Sequence, residues 1–237
     1  MAIVGYSTGA ITPGDVPRAL ALLGGRGARA VELSALRLAE LEPLIAQIPS
    51  LDVSAYTHVS VHAPSRFGAA DEPRVAEMLA AGVPEGWPIV LHPDTIHDPR
   101  VWRGLGARLL IENMDKRKPS GRTVRELGRV FDALPEAAFC FDVGHAHQID
   151  RTMHDAWALL RELGARLGQI HASEVTASGR HDPISRSAVT AFQKIAAWVP
   201  EAIPVIVESP ALPEEIAEQM GLASEALTAR PPLVART

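Results

Sequence analysis

Short apolar runs rich in Val, Ile and Leu alternate along this chain with longer stretches in which Ala, Leu, Glu and Arg recur at helical spacing. The apolar runs predict strands over 2–7, 30–33, 59–63, 88–92, 108–112, 138–142, 167–172 and 204–208. Helices are expected over 16–23, 38–48, 72–81, 99–105, 123–134, 154–167, 187–199 and 213–227. Asp15 before Val16-Pro17 supplies a capping oxygen ahead of a first-turn proline. Pro213-Glu214-Glu215 puts acid at the positive end of the last helix dipole. Eight strands alternating with eight helices predict a parallel sheet joined by crossover helices. The strands are nearly continuous apolar runs, as expected where both faces are covered. At 237 residues, with no linker, the pattern predicts a single-domain (β/α)8 TIM barrel over 1–229. The Pro-rich segment 230–237 is expected to be a frayed C-terminal tail.

Composition narrows the field. A net charge of -5 argues against a surface built to coat nucleic acid or an anionic membrane. The one cysteine, Cys140, excludes an internal disulfide framework and fits a reducing compartment. No run approaches the roughly 18 apolar residues of a membrane span, and no basic, apolar leader opens the chain. The expectation is a soluble cytoplasmic protein acting on a small molecule.

The informative feature is where ligand-type side chains fall. Strands two to eight each finish on or beside one of them: Glu32, His62, His92, Glu112, Asp142, His171 and Glu208. In a closed parallel barrel all these ends meet at one mouth. Carboxylates are costly to bury unless paired or coordinated, and imidazole mixed with carboxylate suits Zn, Mn, Co or Fe. Glu32 reads as a partner for a ligand histidine, a substrate contact or a strand-end charge. Asn113 follows Glu112 on the other strand face and reads as structural, and Cys140 as a small hydrophobe. Arg180 lies in a loop over the mouth, where its planar fork suits a carboxylate or phosphate. Lys116, Arg117 and Lys118 form a solvated loop or a phosphate contact, with Lys116 taken as the binding residue. His147 reads as either site-facing or solvated; His58, His97 and His154 have no motif partners. Trp87, Trp102, Trp157 and Trp198 are expected to be packing residues under the helices.

The stretches VLHPDT, LLIENMD, FCFDVGHAHQID, IHASEVTASGRHDPI and VIVESP resemble the xylose-isomerase-like barrel superfamily, over most of 30–210. That superfamily includes endonuclease IV, sugar epimerases and hydroxypyruvate isomerase. The resemblance implies a shared metal centre at Glu112, Asp142, His171 and Glu208. The endonuclease IV branch implies two further ligands, His62 and His92, and a third metal through His145 and an Asp-x-His motif. This chain has Gly179-Arg180-His181 there, so His181 is kept and the third site lacks its acid unless Asp182 supplies one. GRHDP also resembles the Gly-Arg-His-Glu-Pro run of hydroxypyruvate isomerases, without the glycines that commonly follow.

Two mechanisms follow from the same ligands. The favoured one is an isomerase or epimerase of a small sugar, sugar phosphate or hydroxy-carbonyl compound. There, one cation polarises a carbonyl, the resemblance implies that Glu112 and Glu208 exchange the proton, and His145 and Arg180 are expected to hold substrate oxygens. The alternative is a multinuclear hydrolase of a phosphodiester or small phosphoester, with Glu112 bridging ions and up to three ions per chain. A non-catalytic metal-binding barrel is the third class.

Overall fold

A computed structural model describes residues 2–228. Strands β1 (Val4–Ser7), β2 (Ala30–Ser34), β3 (His58–His62), β4 (Ile89–Leu91), β5 (Leu109–Glu112), β6 (Ala138–Asp142), β7 (Leu167–Ala172) and β10 (Val205–Val207) close into a barrel. Every neighbouring pair is parallel. This is the single-domain (β/α)8 barrel that the alternation predicted. The two remaining strands, β8 (Glu174–Val175) and β9 (His181–Asp182), form an antiparallel hairpin after β7.

The helices are α1 (Thr8–Ile11), α2 (Val16–Leu23), α3 (Leu38–Gln47), α4 (Glu72–Gly82), α5 (Val124–Ala133), α6 (Val143–Ile149), α7 (His154–Leu163), α8 (Arg186–Phe192) and α9 (Ile216–Leu227). Asp15 caps α2 as expected, accepting from the Arg18 N–H at 3.1 Å. The helix expected over 99–105 is instead two 3-10 turns, Pro99–Val101 and Arg103–Arg108. Gly106, at φ 53°, breaks any continuous helix there. Buried Glu72 pins the segment by accepting from the His97 and Asp98 N–H groups and from Trp102 Nε1 at 2.7 Å. Three other helices are shorter than predicted: α7 stops before Gly164, α8 before Gln193, and α9 starts at Ile216 rather than at Pro213. The predicted end of the domain at 229 and the tail 230–237 lie outside the described residues.

The strand alternation divides the apolar residues in two. Ile89, Leu91, Leu109, Ile111, Phe139 and Phe141 join the large core between sheet and helices. Val90, Leu110 and Cys140 form a separate small cluster, which places Cys140 inside the barrel. The interior also holds fully buried polar groups, Glu32, Ser60, Gln169 and His171. A barrel filled for stability alone would carry branched aliphatics there. Among the tryptophans, Trp102 is fully buried, but Trp198 is 47% exposed and stands edge-on to Trp157 rather than under a helix. No helix among the described residues is long and apolar enough to cross a membrane.

Candidate metal centre

Parallel closure brings the strand ends together as the sequence implied. Glu112 ends β5, Asp142 ends β6, His62 ends β3, and His92 and Glu208 directly follow β4 and β10. His171 sits one residue before the end of β7. Four donor groups lie within 4.8 Å, each with one ligand atom per residue: His62–His92–Glu112, Glu112–Asp142–His171–Glu208, Asp142–His145–His181 and His62–His171–Glu208. Glu112 and Asp142 each belong to two of them. Asp142, not Asp182, is therefore the carboxylate beside His145 and His181. Asp182 faces Arg180, with its Oδ1 2.9 Å from Arg180 Nε.

Hydrogen bonds to the far nitrogen fix how His62 and His171 face the centre. The His62 Nδ1–H donates to the Ala63 carbonyl at 2.6 Å, leaving Nε2 toward Glu112 at 3.3 Å. The His171 Nε2–H donates to Glu32 Oε2 at 3.0 Å, leaving Nδ1 between Glu208 at 3.4 Å and Glu112 at 3.6 Å. Glu32 is wholly buried, so of its three expected roles the geometry selects the histidine partner. Gln169 supports it, donating to Glu32 at 2.7 Å and accepting from His58 Nε2 at 2.8 Å. Asn113 is structural, as expected: its amide accepts from the Asp142 N–H and donates to the Asp142 carbonyl, both at 2.8 Å. Asp142 Oδ1 then caps α6 by accepting from the His145 N–H at 2.6 Å. The Asn113 carbonyl accepts from His145 Nδ1 at 2.9 Å, and His181 Nδ1 lies 3.0 Å from Ser173 Oγ.

The donor set fits divalent ions. Asp142 Oδ2 and His171 Nδ1 are buried without a hydrogen-bond partner, and both belong to the same four-residue group. A self-sufficient salt-bridge network would satisfy those atoms, since unpaired buried polar groups are expensive. Electrostatics agree. Burial would lower His62 and His145, but Glu112 and Glu32 push the first up to about 9, and Asp142 and Glu112 push the second up to about 10. Burial lifts Glu208 to about 7 and Asp142 to about 6. Burial lowers His181 to about 3, with cationic His145 adding to the effect, and burial also lowers His92. In the metal-free chain the acids thus hold His62, His145 and His171 protonated, and bound ions would take the place of those protons.

Above it opens a cavity of about 670 Å³, lined at its base by His62, His92, Glu112, His145, His181 and Glu208. Arg66, Arg117, Lys118 and Arg180 stand on its walls. Lys116 is exposed and does not line it, which corrects its expected role. The irregular turn after β5 sends its neighbours inward instead, Arg117 toward Asp115 at 2.8 Å and Lys118 toward Asp94 at 2.8 Å. His147 faces away, packed edge-on against Phe192. Arg66, Asp115 and Ser173 escaped the sequence reading. Gln169 was accessible through its period-two spacing from His171.

A family model described as xylose isomerase-like TIM barrel matches residues 99–226. No protein of curated function matches the sequence. Among solved structures, endonuclease IV from Thermus thermophilus is similar at 20% identity and a TM-score of 0.61, covering 95% of this chain and 99% of that one. A xylose isomerase-like TIM barrel protein from Mycobacterium smegmatis in complex with magnesium is similar at 12% identity and a TM-score of 0.62, covering 98% of each chain. D-psicose 3-epimerase from Clostridium cellulolyticum, solved with D-tagatose, gives 12% identity and a TM-score of 0.56, covering 98% of this chain and 93% of that one. At these identities the structural matches speak for the fold.

Proposed function

The chain belongs to the xylose isomerase-like TIM barrel family, and on that premise we propose that it is a multinuclear metal-dependent hydrolase of a small phosphoester. One observation carries the reading: Glu112 and Asp142 are each shared between adjacent donor groups. His62, His92 and Glu112 would hold one ion, Glu112, Asp142, His171 and Glu208 a second, and Asp142, His145 and His181 a third. The imidazole-rich donor set favours Zn, Mn, Co or Fe. Bound there, such ions would supply the positive charge that polarises a phosphoryl oxygen and acidifies water. The protein supplies the rest. Glu32 and Asn113 hold His171 and Asp142 in place, and Glu208 Oε2 lies beside His171 and His181. The size of the cavity and the net charge of -5 favour a small molecule over duplex nucleic acid.

The isomerase reading keeps one specific support. Glu112 and Glu208 both line the cavity and both flank His171 Nδ1, so one ion in the four-donor group would leave two carboxylates for proton exchange. Counting ions separates the two. Protein purified without chelators is analysed for metal per chain and assayed on p-nitrophenyl phosphate and its bis-ester. The hydrolase reading expects two or three ions, with His62→Ala and His92→Ala each losing an ion and the activity. One ion per chain, unchanged in those variants, favours the isomerase.

A further inference from the structure

The wall of the cavity is divided by charge. Three arginines and a lysine enter from the segments after β3, β5 and β7: Arg66, Arg117, Lys118 and Arg180. The opposite side, after β1, β2 and β10, carries no cation: apart from the donor Glu208 its lining is uncharged, among it Gly9, Ala10, Leu36 and Pro210. The whole chain is acidic at -5, so four cations around one opening run against its overall charge. The acids that line the same space are accounted for. Glu112 and Glu208 belong to the donor groups, and Asp115 is taken by Arg117.

The four cations are not equivalent. Lys118 directs its ammonium at Asp94, the Ser65 carbonyl and His92, which uses its three donors, so it braces the wall. Arg117 and Arg180 are each gripped from behind: Asp115 takes Nε and Nη2 of the first, and Asp182 takes Nε and Nη2 of the second. Their Nη1 groups have no partner among the described residues. Gly179, at φ 78°, matters here because a Cβ at that position would overlap the Arg117 guanidinium. The hairpin turn therefore lies directly against Arg117 and helps to fix it. Arg66 makes no ion pair or side-chain hydrogen bond with any described residue, although it lines the cavity. Two oriented guanidinium groups and one free one are the chemistry that recognises a tetrahedral oxyanion, since planar forks match phosphate edges.

We propose that the cavity selects a small phosphorylated molecule, with its phosphate held by Arg66, Arg117 and Arg180 and its uncharged part against Leu36 and Pro210. The proposal rests on the cavity's being the active site of the function proposed above, but not on the number of ions it holds. Inorganic phosphate is the probe. It is titrated calorimetrically into the metal-replete chain and into Arg66→Gln, Arg180→Gln and the double variant, with ions per chain measured on the same samples. Arg66 and Arg180 are exposed, so the fold withstands both changes. Each single variant is expected to bind phosphate about three- to tenfold more weakly, and the double variant more weakly still, with metal content unchanged. Added salt should weaken the wild type more than the double variant. Equal phosphate affinity in all four proteins, with ions retained, overturns the proposal, because the ions alone would then account for binding. If the wild type holds no ion, the metal reading fails by itself. Phosphate binding to that metal-free chain then decides the matter by the same comparison, with loss in the double variant supporting the arginines and equality rejecting them.

Discussion

Glu32 touches no cavity, yet its carboxylate decides which nitrogen of His171 faces the donor group. Glu32→Gln keeps the size and removes the charge, so the Nε2–H of His171 loses its anionic acceptor and the tautomer that leaves Nδ1 free is held less firmly. Metal affinity is expected to fall about 10- to 100-fold. The metal-free unfolding midpoint should fall as well, because the buried, protonated His171 loses its ionised partner. Competition with a chromophoric chelator measures the first and urea denaturation the second. Unchanged affinity would strip Glu32 of this role. At this scale the residues legible in the sequence were those at strand ends, because closure of a parallel barrel fixes their destination whatever the helices do. Lys116 shows the limit. In an irregular turn no periodicity says which of three consecutive basic residues points inward, and that is settled by the buried Asp115 and by Asp94, distant in sequence.

The joint between β5, β6 and α6 is the element on which the centre depends. Asn113 clamps both backbone groups of Asp142, and Asp142 in turn caps α6, which carries His145. Asn113→Ala would leave a buried N–H and a buried C=O unpaired, at a cost of about 2–4 kcal/mol. Urea midpoints should show that loss, and ions per chain should drop as Asp142 and His145 lose register. A variant with the stability and metal content of the wild type would contradict the clamp. Helix α6 itself was not legible. Val143–Ile149 holds a glycine and two histidines in seven residues, with no apolar stripe to announce a helix. It forms because Asp142 caps it and because Gly144 lets it lie against the Ser173 backbone, where a Cβ would collide. The 3-10 connection between β4 and β5 escaped for a related reason. Its conformation is dictated by Glu72, more than twenty residues away.

For the molecule as a whole, the crowded acids tie stability and metal binding to pH in opposite directions. His62 at about 9 and His145 at about 10 hold protons in the folded, metal-free chain that an unfolded chain gives up near 6.5. Their contribution to stability is therefore complete below that value and is lost as pH rises through 9 and 10. Asp142 and Glu208, also raised, act in the same sense through about 6 and about 7. The urea midpoint of the chelator-treated protein should accordingly fall between pH 6 and pH 10. Ions compete with those same protons, since only neutral imidazole and ionised carboxylate coordinate. Apparent metal affinity should climb over the interval from pH 7 to pH 9, by roughly one to three decades per pH unit according to the number of protons displaced. The midpoint of the metal-loaded protein should then hold steady or rise where that of the stripped protein declines. Calorimetric titration of zinc in buffers of different ionisation enthalpy counts the protons released. A count near zero at pH 7.5, or stability curves that run parallel with and without ions, would mean that the imidazoles and carboxylates at the mouth do not share a cation.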